Sequence, residues 1–155
     1  ELTEEKIQHY MHKKNELYKK LVDESGESLL LPGVKPFLTR LKLAGLKLAV
    51  ASSSKNTPSL LKQAGLDKFY FDAIADGNDI KNSKPHPEVF LLAAKRMEVK
   101  PGNCIAVEDA PAGIEAGQRA GMMTLGIGSA DLGKCNLLRE SIEKTDPVDI
   151  FRMLS

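Results

Sequence analysis

The sequence predicts an α/β fold in which a mostly parallel sheet is covered on both faces by helices. Three observations carry that expectation. From Pro32 onward, short and mainly apolar runs such as LKLAVA and CIAV alternate with segments of helical period. The changes are punctuated by glycine or proline, at Gly45, Pro58, Gly65, Pro87, Pro111 and Gly121. Polar residues gather at or beside the carboxyl ends of the apolar runs, which is where open α/β sheets bind their ligands.

Taken in order, the first element is a helix. Between Thr3 and Glu24 the apolar residues Ile7, Tyr10, Met11, Leu17, Tyr18, Leu21 and Val22 fall mostly three and four apart, which makes one apolar helix face. Thr3 is the expected N-cap, with Glu4 and Glu5 complementing the positive helix end. The polar stretch 23–28 contains Gly26 and reads as a linker or hinge. A helix through Val34, Phe37, Leu38 and Leu41 then stops at Gly45, and a strand follows over 46–51. Thr57-Pro58 caps and starts a helix that closes at Gly65. A short strand over 73–75, a helix over 87–97, a strand over 104–107, a helix over 111–120 and a strand over 124–127 complete the pattern. Gly113, Gly117 and Gly121 are spaced four apart; the expectation is close packing of their helix on the sheet, with Gly121 ending it.

With 155 residues the chain is long enough for one domain with a real core and a small appendage. Twenty-two Lys and Arg against 21 Asp and Glu give a net charge of +1. No global field draws it to nucleic acid or to a membrane surface, so an anionic ligand must be held locally. The hydrophobic content, 42%, is that of a globular protein. No apolar run approaches the roughly 20 residues that span a bilayer. Cys104 lies in an apolar run and Cys135 in a polar one, which offers neither a disulfide framework nor metal-ligand spacing. Two free thiols in a reducing cytoplasm are expected. The first residue is Glu1 and the charged opening lacks the apolar centre of a signal peptide, so something is expected to have been removed or to lie upstream.

Three polar stations carry the chemistry. Ser52, Ser53, Ser54, Lys55 and Asn56 directly follow a buried strand and precede a helix start. Hydroxyls, helix-terminal N–H groups and one ammonium there make a cradle for phosphate oxygens, or equally a turn with capping serines. Lys84 precedes Pro85-His86-Pro87, whose rigid backbone fixes an ammonium able to neutralise a transferring phosphoryl group. Glu108 and Asp109 follow an apolar run, and two adjacent carboxylates repel unless a cation or a helix dipole is near. Magnesium suits them, and Asp109 is also a candidate N-cap for the helix at Pro111. His86 reads as a surface histidine, and His9 and His12, three apart without an acid partner, as no metal site. Gly126-Ile127-Gly128 lacks the third glycine of a dinucleotide fingerprint.

The order Ser52, Lys84, Glu108-Asp109 resembles the second, third and fourth motifs of the haloacid-dehalogenase-like phosphotransferases. Within that superfamily ASSSKN, FDAIADG, SKPHPEVF, VEDAPAGIEA and LGIG look most like the β-phosphoglucomutase group. The resemblance implies a Rossmann-like core over 26–155 and, over 1–25, the last helix of a helical cap domain. It implies that Ser52 hydrogen-bonds the transferring phosphoryl group, that Lys84 bridges it to the nucleophilic carboxylate, and that Glu108 and Asp109 help hold Mg2+. Ser54, Lys55 and Asn56 resemble the segment gripping the other end of the sugar phosphate, and Lys14 and Asn15 resemble cap residues facing the substrate. The activity implied is interconversion of β-glucose 1-phosphate and glucose 6-phosphate through a phospho-aspartyl enzyme and a bisphosphorylated sugar. A sugar-phosphate or phosphoglycolate-type phosphatase and a non-catalytic remnant or complementing fragment are the alternatives.

Two departures follow. Ala110 stands where relatives often have serine, which puts a secondary hydrogen bond in doubt. More seriously, no Asp-x-Asp occurs between Glu1 and Ser155, whereas the family carries its nucleophilic and acid–base aspartates in that pattern on a first strand. That strand belongs in mid-sheet, between the strands ending at Ser52 and Glu108. Without it two apolar edges are left unpaired, so these residues alone are expected to be inactive and not a stable monomer, completed by the missing N-terminal segment or another copy of the chain.

Overall fold

The computed structural model describes residues 3–25, 30–66, 69–128 and 131–155, without the side chains of Lys19, Val22, Asp23 and Ser25. The expected hinge at Gly26 lies outside the described residues. The elements are α1 (Glu4–Ser25), α2 (Val34–Leu43), β1 (Ala49–Ala51), α3 (Thr57–Gln63), β2 (Ala73–Ala75), α4 (Glu88–Arg96), β3 (Ile105–Glu108), α5 (Pro111–Arg119), β4 (Met123–Ile127), β5 (Leu137–Arg139) and α6 (Pro147–Leu154). Every pairing is parallel. Helices cover the strands on both faces, so the α/β architecture read from the alternation of apolar runs is the observed one.

The strands do not form one sheet. β1 and β2 make a two-stranded sheet in the register Ala49↔Ala73 to Ala51↔Ala75. β3, β4 and β5 make a three-stranded one, with Ile105↔Met123 and Leu125↔Leu137. Between β1 and β3 lies an apolar cavity of about 430 Å³, lined by Leu46, Leu48, Ala49 and Ala51 on one side and by Cys104, Ile105, Ala106 and Val107 on the other. Hydrogen-bonding sides alternate along a strand. Ser52 N donates to Ala75 O and Met123 N to Cys104 O, so residues 49, 51, 105 and 107 turn their main-chain groups away from these partners and toward the cavity. The interruption is at the position where the resemblance expects a strand.

Two cores flank the cavity. On one face α4 and α5 bury Val89, Phe90, Ala93, Ala94 and Ala116 against Ala75 and Ala106. On the other, α2 and α6 bury Phe37, Leu41 and Ile150 against Leu125 and Ile127. Burial of a side chain such as Phe37 or Leu41 contributes roughly 1.5–3 kcal/mol, so these two residues are what holds α2 in place.

Several boundaries differ from expectation. β1 is three residues long instead of the six expected over 46–51, because β2 begins only at Ala73 and the Asp72 carboxylate takes the Leu48 N–H at 2.8 Å in place of a ladder partner. Asn56 occupies the N-cap position of α3 without a side-chain capping bond, while the Thr57 hydroxyl donates to Ser54 O at 2.8 Å. Ala110 caps α5, so Asp109 stands one residue outside the cap position. β5 and α6 were not expected at all, although Asp146-Pro147 is a clear helix start: Asp146 Oδ1 accepts from Val148 N at 2.9 Å. The three spaced glycines behave as expected: Gly121 (φ 77°) ends α5, Gly117 packs on Ala106 and Thr124, and Gly113 packs on the Glu108 side chain at the end of β3. Among the described residues no helix is long and apolar enough to cross a membrane.

Candidate active site

The carboxyl ends of β1 and β3 face each other across the mouth of the cavity, and the three stations meet there. Beyond β1, the three serines each accept a main-chain N–H. Ser52 Oγ accepts from Ser54 N (3.1 Å), Ser54 Oγ from Asn56 N (3.1 Å) and Ser53 Oγ from Lys84 N (3.3 Å). A hydroxyl that accepts still has its own proton to donate. The capping turn is therefore observed, and it leaves each serine hydroxyl a proton with which to donate to a further acceptor.

Lys84 reaches the mouth from the other direction. Its Nζ donates to Ala51 O at 3.0 Å, pairs with the Glu108 carboxylate, and sits 4.7 Å from the centre of the Phe90 ring. The Lys84 and Glu108 side chains are 17% and 10% exposed, so this pair is screened far less than a surface one. One ammonium thus ties the end of one sheet to the end of the other. The loop behind it is pinned by Glu88, whose carboxylate accepts from Lys81 N (2.9 Å), Asn82 N (3.0 Å) and Asn82 Nδ2 (2.9 Å). These donors, the Lys81 N–H first, hold the Glu88 carboxyl below its ordinary range.

Glu108 owes its position to the residue beneath it. A Cβ on Gly113 would overlap the Glu108 carboxylate and lie 2.7 Å from its Cγ. The glycine is therefore a seat for an acid at a helix start. Asp109 is exposed beside it. Among the described residues no group of three or more His, Cys, Asp and Glu side chains gathers as a metal site. Glu108 and Asp109 do fit Mg2+, which is commonly held by one or two carboxylates while phosphate and water complete its shell.

Of the remaining candidates, Asn15 is brought to the site and Lys14 is not joined to it by a contact. Asn15 Oδ1 on α1 accepts from Asn56 Nδ2 at 2.7 Å, whereas Lys14 is exposed on the same helix, and Lys55 is exposed next to Asn56. His86 is exposed, with Nδ1 accepting from Glu88 N at 3.3 Å, and His9 and His12 are exposed on α1. The 76–79 turn, of which the sequence marks only Asp76-Gly77 as part of the family-like FDAIADG and gives no role, braces the serine loop. Gly77 N donates to Ser54 O at 3.1 Å and Asn78 Nδ2 to Lys55 O at 3.0 Å. Its signal was an Asp-Gly-Asn turn directly after a strand.

Comparison with known proteins agrees with this geometry. The family model of haloacid dehalogenase-like hydrolases matches residues 1–121. A β-phosphoglucomutase of Bacillus subtilis is 38% identical over 146 residues, 92% of this chain and 64% of the relative. A phosphorylated carbohydrates phosphatase of Thermotoga maritima is 34% identical over 79% of this chain and 58% of its own length. The crystal structure of a β-phosphoglucomutase from Clostridium difficile superposes with a TM-score of 0.89 at 38% identity, covering 99% of this chain and 69% of that one. The chain spans less than two thirds of the length of the curated relatives just named. With the family model spanning most of the chain, and the serine loop, lysine and paired acids in the family's order at the carboxyl ends of parallel strands, the chain belongs to the haloacid dehalogenase-like hydrolases.

Proposed function

We propose that the chain carries the phosphate- and magnesium-binding part of a phosphoryl-transferring enzyme acting on a sugar phosphate, with β-phosphoglucomutase activity as the leading reading. The observation that carries this is Lys84, whose ammonium joins Ala51 O and Glu108 across the mouth of the cavity, between the serine loop and the paired acids. In this reading Ser52 and the 52–56 loop donate hydrogen bonds to the oxygens of the phosphoryl group, and Lys84 offsets the charge that builds on them. Glu108 and Asp109 would hold Mg2+, which when bound would neutralise phosphate charge and orient the group. Lys55 and Asn56, with Asn15 and Lys14 from a cap of which α1 is one helix, would grip the far end of the sugar.

No Asp-x-Asp occurs in these 155 residues, so in this reading the nucleophilic aspartate comes from outside them. It would come on a strand seated parallel to β1 and β3 in the cavity, supplied by a preceding segment of polypeptide or by another chain. Its alternate side chains would pack into the two cores, and its carboxyl end would bring the aspartate beside Ser52 and Lys84. The aspartate, already carrying a phosphoryl group, would pass it to the free hydroxyl of the sugar monophosphate, whose proton the acid–base aspartate of the same strand would take. The aspartyl oxygen would then bond to the phosphorus at the other end of the bisphosphorylated sugar as that sugar oxygen leaves and regains the proton.

Calorimetric titration of inorganic phosphate and of β-glucose 1-phosphate, each with Mg2+, tests the reading. Both are expected to bind, with binding of both lost in Lys84→Met; a chain that binds neither contradicts it. A phosphatase is the second reading, favoured by the Thermotoga maritima relative. Lys55→Ala separates the two: for a mutase it weakens hexose-phosphate use while inorganic phosphate binds as before, whereas unchanged hexose-phosphate use favours the phosphatase.

A further inference from the structure

The serine loop is not held by its own turn alone. Its carbonyl side rests on the 76–79 turn. Gly77 N donates to Ser54 O at 3.1 Å and Asn78 Nδ2 to Lys55 O at 3.0 Å. A Cβ on Gly77 would overlap Ser53 O and lie 2.9 Å from Lys55 N, so the two backbones are in direct contact. Carbonyls engaged on this side leave the loop's opposite side to a ligand.

The turn in turn has an internal frame. Asp76, 5% exposed, accepts from Asn78 N at 2.8 Å and Asn78 Nδ2 at 3.0 Å, which aims that amide at Lys55 O. Asp79 Oδ2 accepts from Asp76 N at 3.0 Å and Asp79 N donates to Asp76 O at 3.0 Å. The Asp79 carboxylate is then clamped from outside by Arg96 at the end of α4, with Nη1 and Nη2 each 2.8 Å from a carboxylate oxygen, while Nη1 also donates to Ile74 O on β2. A two-pronged guanidinium–carboxylate contact fixes orientation as well as distance. The guanidinium holds the Asp79 carboxyl down at about 2.

We propose that Arg96, acting through Asp79 and the 76–79 turn, is a positioning residue that sets the conformation of the 53–55 loop for phosphate. α4 then grips both halves of the site: Glu88 in its first turn fixes the segment leading to Lys84, and Arg96 in its last turn fixes the serine loop. Arg96 touches no phosphate itself. The proposal rests on the 52–56 loop being the phosphate cradle, so its test has two separate readouts.

Arg96→Leu, Arg96→Lys, Asp79→Asn and the Arg96→Leu/Asp79→Asn double variant are compared with wild type in the protein's native assembly, under conditions where each is folded. Hydrogen exchange read by mass spectrometry reports the 52–56 loop, and calorimetry with Mg2+ reports inorganic phosphate. The expected result is exchange about tenfold or more faster in 53–56 and phosphate affinity down about five- to tenfold in Arg96→Leu and Asp79→Asn. The double variant is no worse than either single one, and Arg96→Lys recovers part of both. Unchanged exchange in 53–56 in Arg96→Leu overturns the proposal. So does faster exchange with wild-type phosphate affinity, since the clamp would then be structural only. If wild type binds no phosphate, the phosphate reading fails and the exchange readout alone decides whether Arg96 sets the loop.

Discussion

Gly113 and Gly117 lie four residues apart on α5, and alanine at each should do opposite things. At Gly117 the new Cβ would lie 2.7 Å from Ala106 Cβ and 3.0 Å from Thr124 Cγ2, against an ordinary contact of about 3.5–4.0 Å. Both neighbours are buried on strands, at 2% and 0% exposure, so α5 itself must lift from the sheet. Overpacking of this kind costs about 1–3 kcal/mol, offset by the ~0.5–1 kcal/mol that alanine gains over glycine inside a helix. The net is a loss of roughly 0.5–2 kcal/mol in stability with ligand affinity intact. At Gly113 the clash is with the end of the flexible Glu108 side chain. Restoring about 3.5 Å to its Cγ from 2.7 Å requires a shift of roughly 1 Å, which rotation of the side chain supplies. Stability then changes by less than about 1 kcal/mol, but the carboxylate is driven off Lys84 and out of its seat. Affinity for Mg2+ with phosphate should fall about tenfold or more, equivalent to about 1.4 kcal/mol or more. Urea denaturation at one protein concentration and calorimetric titration of both variants measure the two effects. Wild-type affinity in Gly113→Ala, or the affinity loss appearing in Gly117→Ala instead, would refute the assignment of Gly113 as the seat of Glu108.

Other outcomes follow from the same geometry. Lys84→Met leaves a nearly buried Glu108 carboxylate without its cation, so it should cost about 3 kcal/mol by denaturation, and adding Glu108→Gln should restore part of that. Asp79 has its carboxyl lowered to about 2 by Arg96. A depressed carboxyl contributes stability that is fully present above its ordinary value of 3.8 and lost as pH falls through about 2. Asp79→Asn should therefore flatten the acid side of the stability profile between about pH 4 and 2; an unchanged profile contradicts the pairing. The open edges of β1 and β3 predict melting that depends on protein concentration in these 155 residues alone. A cooperative, concentration-independent transition would show that the cavity tolerates being empty.

The alternation of apolar runs and helix-period segments made the architecture legible, because buried parallel strands and amphipathic helices differ in period. That Ser52, Lys84 and Glu108 gather in one candidate site was legible for a similar reason: they lie at or beside strand ends. What stayed hidden depends on pairing. Leu46-Lys47-Leu48 alternates as a strand can, yet β2 begins too late to extend the ladder beside it. LLR at β5 is three residues long, half exposed and without period. Gly113 does pack on the sheet, but spacing along a helix does not say that the strand residue it makes room for is the acid Glu108. The brace formed by Gly77 and Asn78 was not legible because it is made to backbone atoms of residues more than twenty positions earlier.

Turnover of β-glucose 1-phosphate with Mg2+ by these 155 residues tests the central claim most directly. The account predicts phosphate and sugar-phosphate binding that requires Lys84, with no turnover until a strand carrying an aspartate fills the cavity between β1 and β3. Turnover by the 155 residues unaided would contradict it, since the phosphoryl group would then have an acceptor other than the aspartate this account requires.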